Sequence, residues 1–242
     1  MRITRFYCPN LQAEEHAFTL PPSAHRHAVQ VLRLKQGDKV RLFNGLGFEC
    51  DAELIDVTKR ESRVSLRSAI TNNNESPLNI TLLQGISRGE RMDYALQKAV
   101  ELGVNRVIPV VTERCNVQLS GGREDKRLSH WQGVIVSACE QSGRSLLPSL
   151  TNVMQLDEAL LEIDVPCKLV LDPLASTGFN DIKQQSKIAL LIGPEGGLSE
   201  QEIQQATMTG FQSIRFGPRI LRTETATAAA LAVVQSLWGD LG

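Results

Sequence analysis

Ala189-Leu190-Leu191-Ile192-Gly193-Pro194-Glu195-Gly196-Gly197-Leu198-Ser199-Glu200 is an apolar run that stops at a turn rich in glycine. A second such junction follows soon after it, Ser213-Ile214-Arg215-Phe216-Gly217-Pro218-Arg219-Ile220-Leu221-Arg222-Thr223-Glu224-Thr225. Each reads as a buried strand handing over to a helix, the place where open α/β sheets build ligand sites. Two junctions so close in sequence predict one pocket lined mainly by backbone. Outward from them, strands are expected at Asn79–Gly85, Arg106–Val111, Lys168–Leu171, Ile188–Ile192 and Ser213–Phe216. Helices are expected at Arg91–Leu102, Lys126–Gln141, Glu200–Thr209 and about Thr225–Trp238. Strands apolar throughout, alternating with helices, predict a parallel, doubly wound α/β domain. Ser199 is placed to cap the Glu200 helix, and Glu202 completes a capping box.

The first seventy residues have a different rhythm. Lys39–Phe43 and Phe48–Ile55 flank Asn44-Gly45-Leu46-Gly47, a hairpin signal, and Arg63–Arg67 alternates as a third strand. His25–Leu34 reads as one short helix with Ala28, Val29, Val31 and Leu32 on its apolar side. A small β-barrel over residues 1–70 is expected, joined by a polar linker at 71–77 to an α/β domain over 78–242.

Bulk properties exclude several classes. No run approaches the ~20 apolar residues of a membrane-spanning helix, and the amino terminus carries no secretory h-region. A cytoplasmic location is therefore expected. The cysteines Cys8, Cys50, Cys115, Cys139 and Cys167 are scattered without a CxxC pair, which predicts reduced thiols and no metal site. Net charge is −1, but residues 1–70 carry 11 Lys/Arg against 8 Asp/Glu and the remainder 15 against 19. A mildly basic small domain on an acidic larger one fits a polyanion-binding module or a chance imbalance of solvated charges.

The two turns pass some ligand tests and fail others. A phosphate-cradling P-loop needs Lys and Ser/Thr after its glycines, whereas Gly197 is followed by Leu198-Ser199. The spacing of a dinucleotide fingerprint is absent as well. A capped turn explains Ser199 and Glu202 but not Pro194-Glu195 ahead of two glycines. In the second turn, Arg219, Arg222 and Glu224 surround Ile220 and Leu221. Apolar residues there can sandwich a flat heterocycle while Arg222 holds an anion. An ion pair of Glu224 with Arg219 or Arg222 would instead only fix the loop.

IGPEGGLSEQEI and FGPRILRTETA together resemble the carboxy-terminal signature of the RsmE family of SPOUT methyltransferases. The resemblance extends through Arg5-Phe6-Tyr7, Val31-Leu32-Arg33, Leu42-Phe43-Asn44-Gly45, Ser87-Arg88-Gly89-Glu90-Arg91-Met92-Asp93, Gln97–Gly103 and Glu140–Arg144. It implies a PUA-like barrel followed by a SPOUT domain with a carboxy-terminal trefoil knot, a homodimer, and methylation of N3 of a uridine in 16S ribosomal RNA of the small subunit. The implied cofactor is S-adenosylmethionine (SAM). Its pocket, carried over by motif, comprises Leu171, Asp172 and Pro173; Gly193, Pro194, Glu195, Gly197 and Leu198; and Phe216, Gly217, Ile220, Leu221 and Thr225. Phe216 departs from the Leu expected before Gly-Pro-Arg.

Uridine N3 is a weak nucleophile while protonated, so a base or a stabiliser of the developing anion should assist. Arg222 is the expected anion stabiliser, and its pKa makes it a poor base. Glu224 and Glu195 are either bases or loop braces, with bracing the favoured reading. RNA phosphates are expected on Arg5, Arg26, Arg33, Arg88, Arg91 and Arg144. A related SPOUT enzyme acting on a ribose hydroxyl or another base, and a noncatalytic RNA-binding factor, are the rival readings.

Overall fold

In a computed structural model, which describes residues 3–117 and 122–242, the chain forms two compact units. One runs to Glu75 and includes Cys139–Leu147; the other comprises Ser76–Ala138 and Pro148–Gly242. Residues 139–147, expected within the α/β domain, thus fall in the first unit.

The first unit is a five-stranded sheet ordered β1-β3-β4-β5-β2, built from β1 (Thr4–Tyr7), β2 (Ala17–Thr19), β3 (Lys39–Phe43), β4 (Glu49–Val57) and β5 (Ser62–Ala69). β1 runs parallel to β3 and the other pairs are antiparallel. Among the described residues the strand pairing runs as one path from β1 to β2. The β3–β4 hairpin turns on Asn44, whose Oδ1 accepts from the Leu46 and Phe48 amides at 2.8 and 3.1 Å. Phe6, Leu11, Val40, Leu42, Leu54 and Val64 fill the core.

The expected helix at 25–34 is instead α1 (Pro22–Arg26) continued by a π-helical turn over His27–Val31. Leu32 N donates to His27 O at 3.0 Å, five residues back. The wider turn shifts the side chains off a 3.6-residue face. Ala28 is buried, but Val31 is 66% and Leu32 39% exposed. They are not the apolar side that periodicity predicted.

Residues 139–147 are stitched into this unit by buried polar groups. Arg5 pairs with Glu49 at 2.9 Å, donates to Cys139 O at 2.6 Å and Arg144 O at 3.0 Å, and lies over the Phe43 ring. Tyr7 N donates to Glu140 Oε1 at 3.0 Å, Asn72 donates to Gly143 O, and Arg144 pairs with Glu75 at 2.8 Å. Burial pushes the Cys50 thiol up to about 11 and the Cys139 thiol to about 12, so both stay protonated and inert at neutral pH.

The second unit is a parallel sheet, as expected. Its strands are β6 (Asn79–Gly85), β7 (Arg106–Val111), β8 (Ser149–Leu150), β9 (Met154–Gln155), β10 (Cys167–Leu171), β11 (Lys187–Ile192) and β12 (Gln212–Ile214). The order is β12-β10-β11-β6-β7-β8, with β9 also on β7. The helices are α2 (Glu90–Glu101), α3 (Arg123–Ser142, whose residues from Cys139 on belong to the first unit), α4 (Leu156–Glu162), α5 (Glu200–Met208) and α6 (Thr223–Trp238). Alternate strand residues feed two cores. Ile80, Leu82, Ile188 and Leu190 pack in one cluster with Met92 and Leu96 of α2 and Leu231 and Val234 of α6. Leu83, Ala189 and Leu191 pack in the other with Leu156 and Leu160 of α4 and Ala206 of α5. The short elements β8, β9 and α4 were not foreseen. No helix among the described residues is long and apolar enough to cross a membrane.

Candidate functional site

A cavity of about 450 Å³ opens in the second unit at the carboxyl ends of β10, β11 and β12, the position at which parallel sheets bind ligands. Three segments wall it: Leu171–Leu174, Ile192–Leu198 and Phe216–Leu221, closed by Thr223 and Ala226 of α6. Thus Leu171, Asp172, Pro173, Gly193, Pro194, Glu195, Gly197, Leu198, Phe216, Gly217, Ile220 and Leu221 come together around one volume. Thr225 does not join them. α6 begins at Thr223, two residues earlier than the sequence suggested, so Thr223 faces the cavity and Thr225 is exposed. Leu171, Ile192, Ile203, Phe216 and Leu221 give the cavity apolar sides, with Phe216 edge-on to Phe179 at 5.5 Å.

Glycine permits the close approaches that shape the floor. A side chain at Gly85, the last residue of β6, would place its Cβ 2.4 Å from Pro194 N, and one at Gly193 would meet the Gly197 carbonyl carbon and Leu198 N at 3.0 Å. Beneath them lies a buried polar network that sequence reading missed. Thr223 Oγ1 donates to Gly193 O at 2.7 Å and accepts from Gln84 Nε2 at 3.1 Å. Gln84 Oε1 in turn accepts from Thr227 Oγ1 at 2.6 Å. Gln84 and Thr227 are wholly buried, and no local motif marks them.

The first turn is held on its outer residues too. Ser199 and Glu202 form the expected capping box, and Glu202 Oε1 additionally accepts from Glu113 N at 2.8 Å. Glu195 accepts from Arg88 N at 2.9 Å and Arg91 Nη1 at 3.2 Å. Its partial burial works to raise its pKa, but these donors and the Arg91 charge outweigh that and hold the carboxyl below the ordinary range. Glu195 thus ties the turn to Arg88 and Arg91.

Glu224 behaves differently. Among the described residues no ion pair or hydrogen bond joins it to Arg219 or Arg222, and its Oε2 is buried without a partner. Bracing by Glu224 is not observed. Arg222 sits exposed at the N-cap of α6, its carbonyl accepting from Ala226 N at 2.7 Å.

The arginines assigned to RNA divide. Arg5 is 8% and Arg144 4% exposed, each ion-paired within the first unit, so neither presents its charge to a phosphate. This corrects the reading of both: charge on a sequence says nothing of burial. Arg26, Arg33, Arg88 and Arg91 are exposed. Arg33 holds φ +56, an uncommon left-handed conformation for a non-glycine residue. No cluster that could hold a metal occurs among the described residues.

By comparison with known proteins, the chain falls among RNA methyltransferases. The family described as RNA methyltransferase domain matches residues 74–235, and the RNA methyltransferase PUA domain matches residues 23–66. Ribosomal RNA small subunit methyltransferase E of Buchnera aphidicola subsp. Schizaphis graminum is 35% identical, covering 99% of this chain and 98% of that one. The Neisseria gonorrhoeae protein of the same name, solved bound to S-adenosyl methionine, superposes with a TM-score of 0.93 at 42% identity over 100% of both chains. A Legionella pneumophila methyltransferase solved in complex with SAM gives 0.97 at 41% identity, again over 100% of both. The chain belongs to the ribosomal RNA small subunit methyltransferase E family.

Proposed function

We infer that the protein is a SAM-dependent methyltransferase that modifies N3 of a uridine in 16S ribosomal RNA. The observation that carries this is the glycine-lined cavity at the ends of β10, β11 and β12, with Arg222 exposed beside it, in a chain of this family. The cavity lies in the usual 300–1,000 Å³ range for cofactor sites. Its apolar walls suit a flat base between Leu171, Phe216 and Leu221, and the backbone of Gly193–Leu198 supplies a polar edge. When bound, the cofactor supplies an electrophilic methyl group on sulfonium.

The chain's own residues do the rest. The three wall segments bind and orient, so positioning supplies much of the acceleration. Arg222 stabilises the anion that develops as N3 loses its proton. Glu224, unlike Glu195, has a carboxylate oxygen without a partner, which supports it as the acceptor of that proton. Arg26, Arg33, Arg88 and Arg91 neutralise RNA phosphates. Four such contacts to single-stranded RNA would give log affinity a slope near −3 against log salt, about −0.7 for each.

The finer fold is a trefoil knot, a reading supported by the strand order, in which the chain leaves β11, crosses β10 and adds β12 on its far side. A homodimer is supported by the half-buried small face of α6, Ala228, Ala229 and Ala232, and light scattering tests it. Cytoplasmic location follows from the substrate. The decisive experiment incubates unmodified small subunits with SAM and maps the methylated nucleotide by mass spectrometry. A methyl on uridine N3 is expected, and one on a ribose hydroxyl or on no nucleotide overturns the reading.

A further inference from the structure

Two adjacent glycines close the first turn, yet only the second needs to be one for backbone reasons. Gly197 has φ +70, the left-handed region that favours glycine, and Gly196 does not. What Gly196 lacks is room. A Cβ there would stand 2.9 Å from Arg114 Cβ, 3.3 Å from Arg114 O and 3.5 Å from its Cδ. The aliphatic stem of Arg114, on the segment after β7, occupies the space of the missing side chain. Its Nη1 then donates to Gly196 O at 3.1 Å and Leu198 O at 3.4 Å. Arg114 also lines the cavity.

The consequence is read in the peptide planes. In the peptide joining Gly196 to Gly197, the carbonyl is held by Arg114 and the amide by Pro194 O at 2.9 Å. In the peptide joining Leu198 to Ser199, the carbonyl is held by Arg114 and the amide by Glu202 Oε2 at 2.8 Å. Each plane is therefore fixed at both ends. The peptide between them, Gly197 O with Leu198 N, has no protein partner among the described residues, and both residues line the cavity.

We propose that Arg114 is a positioning residue for cofactor binding: by fixing the two flanking peptides it presents the Gly197–Leu198 peptide as a preoriented donor and acceptor for the nucleoside part of the cofactor. Gly196 is the matching device that lets the Arg114 stem lie against the turn. This rests on the cofactor reading above and adds a residue that no sequence motif pointed to.

The test measures binding of S-adenosylhomocysteine and of 5′-methylthioadenosine, which lacks the amino-acid tail, by calorimetry on the full chain. Wild-type protein that binds neither would sink the cofactor reading itself. Given wild-type binding, Arg114→Ala should weaken both ligands about tenfold, raise KM for SAM in proportion and leave kcat within about threefold. Arg114→Lys, with one compact ammonium for two carbonyls, should recover part of the loss. Gly196→Ala should weaken binding strongly in the wild-type background and far less on Arg114→Gly, whose stem is gone; thermal melting confirms that each variant is folded. Unchanged affinity in Arg114→Ala, loss for S-adenosylhomocysteine alone, a fall in kcat without a change in KM, or additive losses in the Gly196/Arg114 cycle each overturn the proposal.

Discussion

The two turns that bound the cavity differ in how tightly the protein holds them. In the first, Gly193 O, Glu195, Gly196 O, Leu198 O and Ser199 N all have partners, drawn from α2, the segment after β7, α5 and α6. In the second, Arg219 and Arg222 are exposed without a side-chain partner among the described residues, and Ile220 is 87% exposed. The first turn is thus preorganised and its shape is decided before any ligand arrives, which reduces the ordering cost of binding. The second keeps its cations uncommitted. On the function proposed above, the first turn would set affinity and the second turnover.

The largest effect should come from removing the space beneath the first turn. Gly85→Ala drives a Cβ into Pro194 N, where backbone must move. Binding of S-adenosylhomocysteine should weaken at least about a hundredfold, with a melting temperature lowered by roughly 2–12 °C from about 1–3 kcal/mol of overpacking. An unchanged affinity would show that the turn is not as fixed as its contacts imply. Next is Arg222→Ala in the second turn. Methyl transfer should fall about 10²–10³-fold, as for loss of one anion-stabilising donor, while ligand affinity stays within about threefold. Equal losses in both would move Arg222 into the cofactor pocket and blur the contrast.

A smaller effect is expected from Thr223→Val, which keeps the shape but deprives Gly193 O and Gln84 Nε2 of their buried partner. At about 1–3 kcal/mol for such a loss, affinity should drop on the order of tenfold, read by calorimetry. The smallest concerns Glu195, whose pKa is lowered in the folded chain. Its bracing is fully present above the ordinary carboxylate value near 4.5 and is lost as pH falls through the lowered folded value. Ligand affinity of the wild type should therefore hold from neutral pH to about 4.5 and decline below it. Glu195→Gln should be a few-fold weaker and flat over that range, because a half-exposed pair with Arg91 contributes little.

Sequence alone carried the α/β unit far. Asn79–Gly85 and Arg106–Val111 form the strands their apolar runs predicted, and the capping box at Ser199 is present. Local periodicity and turn chemistry suffice for such elements. It failed at residues 27–31, where one wider turn slips the apolar register and leaves Val31 and Leu32 in solvent. Two-residue strands such as Ser149–Leu150 carry too little pattern to be read. For the site, the residues that line the cavity through their own backbone were legible in the glycines and prolines. Those that hold it were not: Arg114 meets Leu198 across 84 positions and Gln84 meets Thr223 across 139. The only written trace of Arg114 is the doubled glycine at 196 and 197, a puzzle until the Arg114 stem is seen beside it.

The ties that hold residues 139–147 to the first unit have a further meaning for how the chain can be cut. Its path leaves that unit after Glu75, returns at Cys139 and departs again after Leu147, so the unit is not a cassette that a single scission would release. A fragment ending at Glu75 would keep Arg5 and Glu75 but lose the Cys139 and Arg144 carbonyls and the Arg144 guanidinium that satisfy them. Arg5 would keep Glu49 but lose two buried carbonyl acceptors, at about 1.5–3 kcal/mol for a hydrogen bond to a charged group, a large part of the stability of a domain this small. A cut at that one boundary would therefore weaken the first unit rather than release it intact.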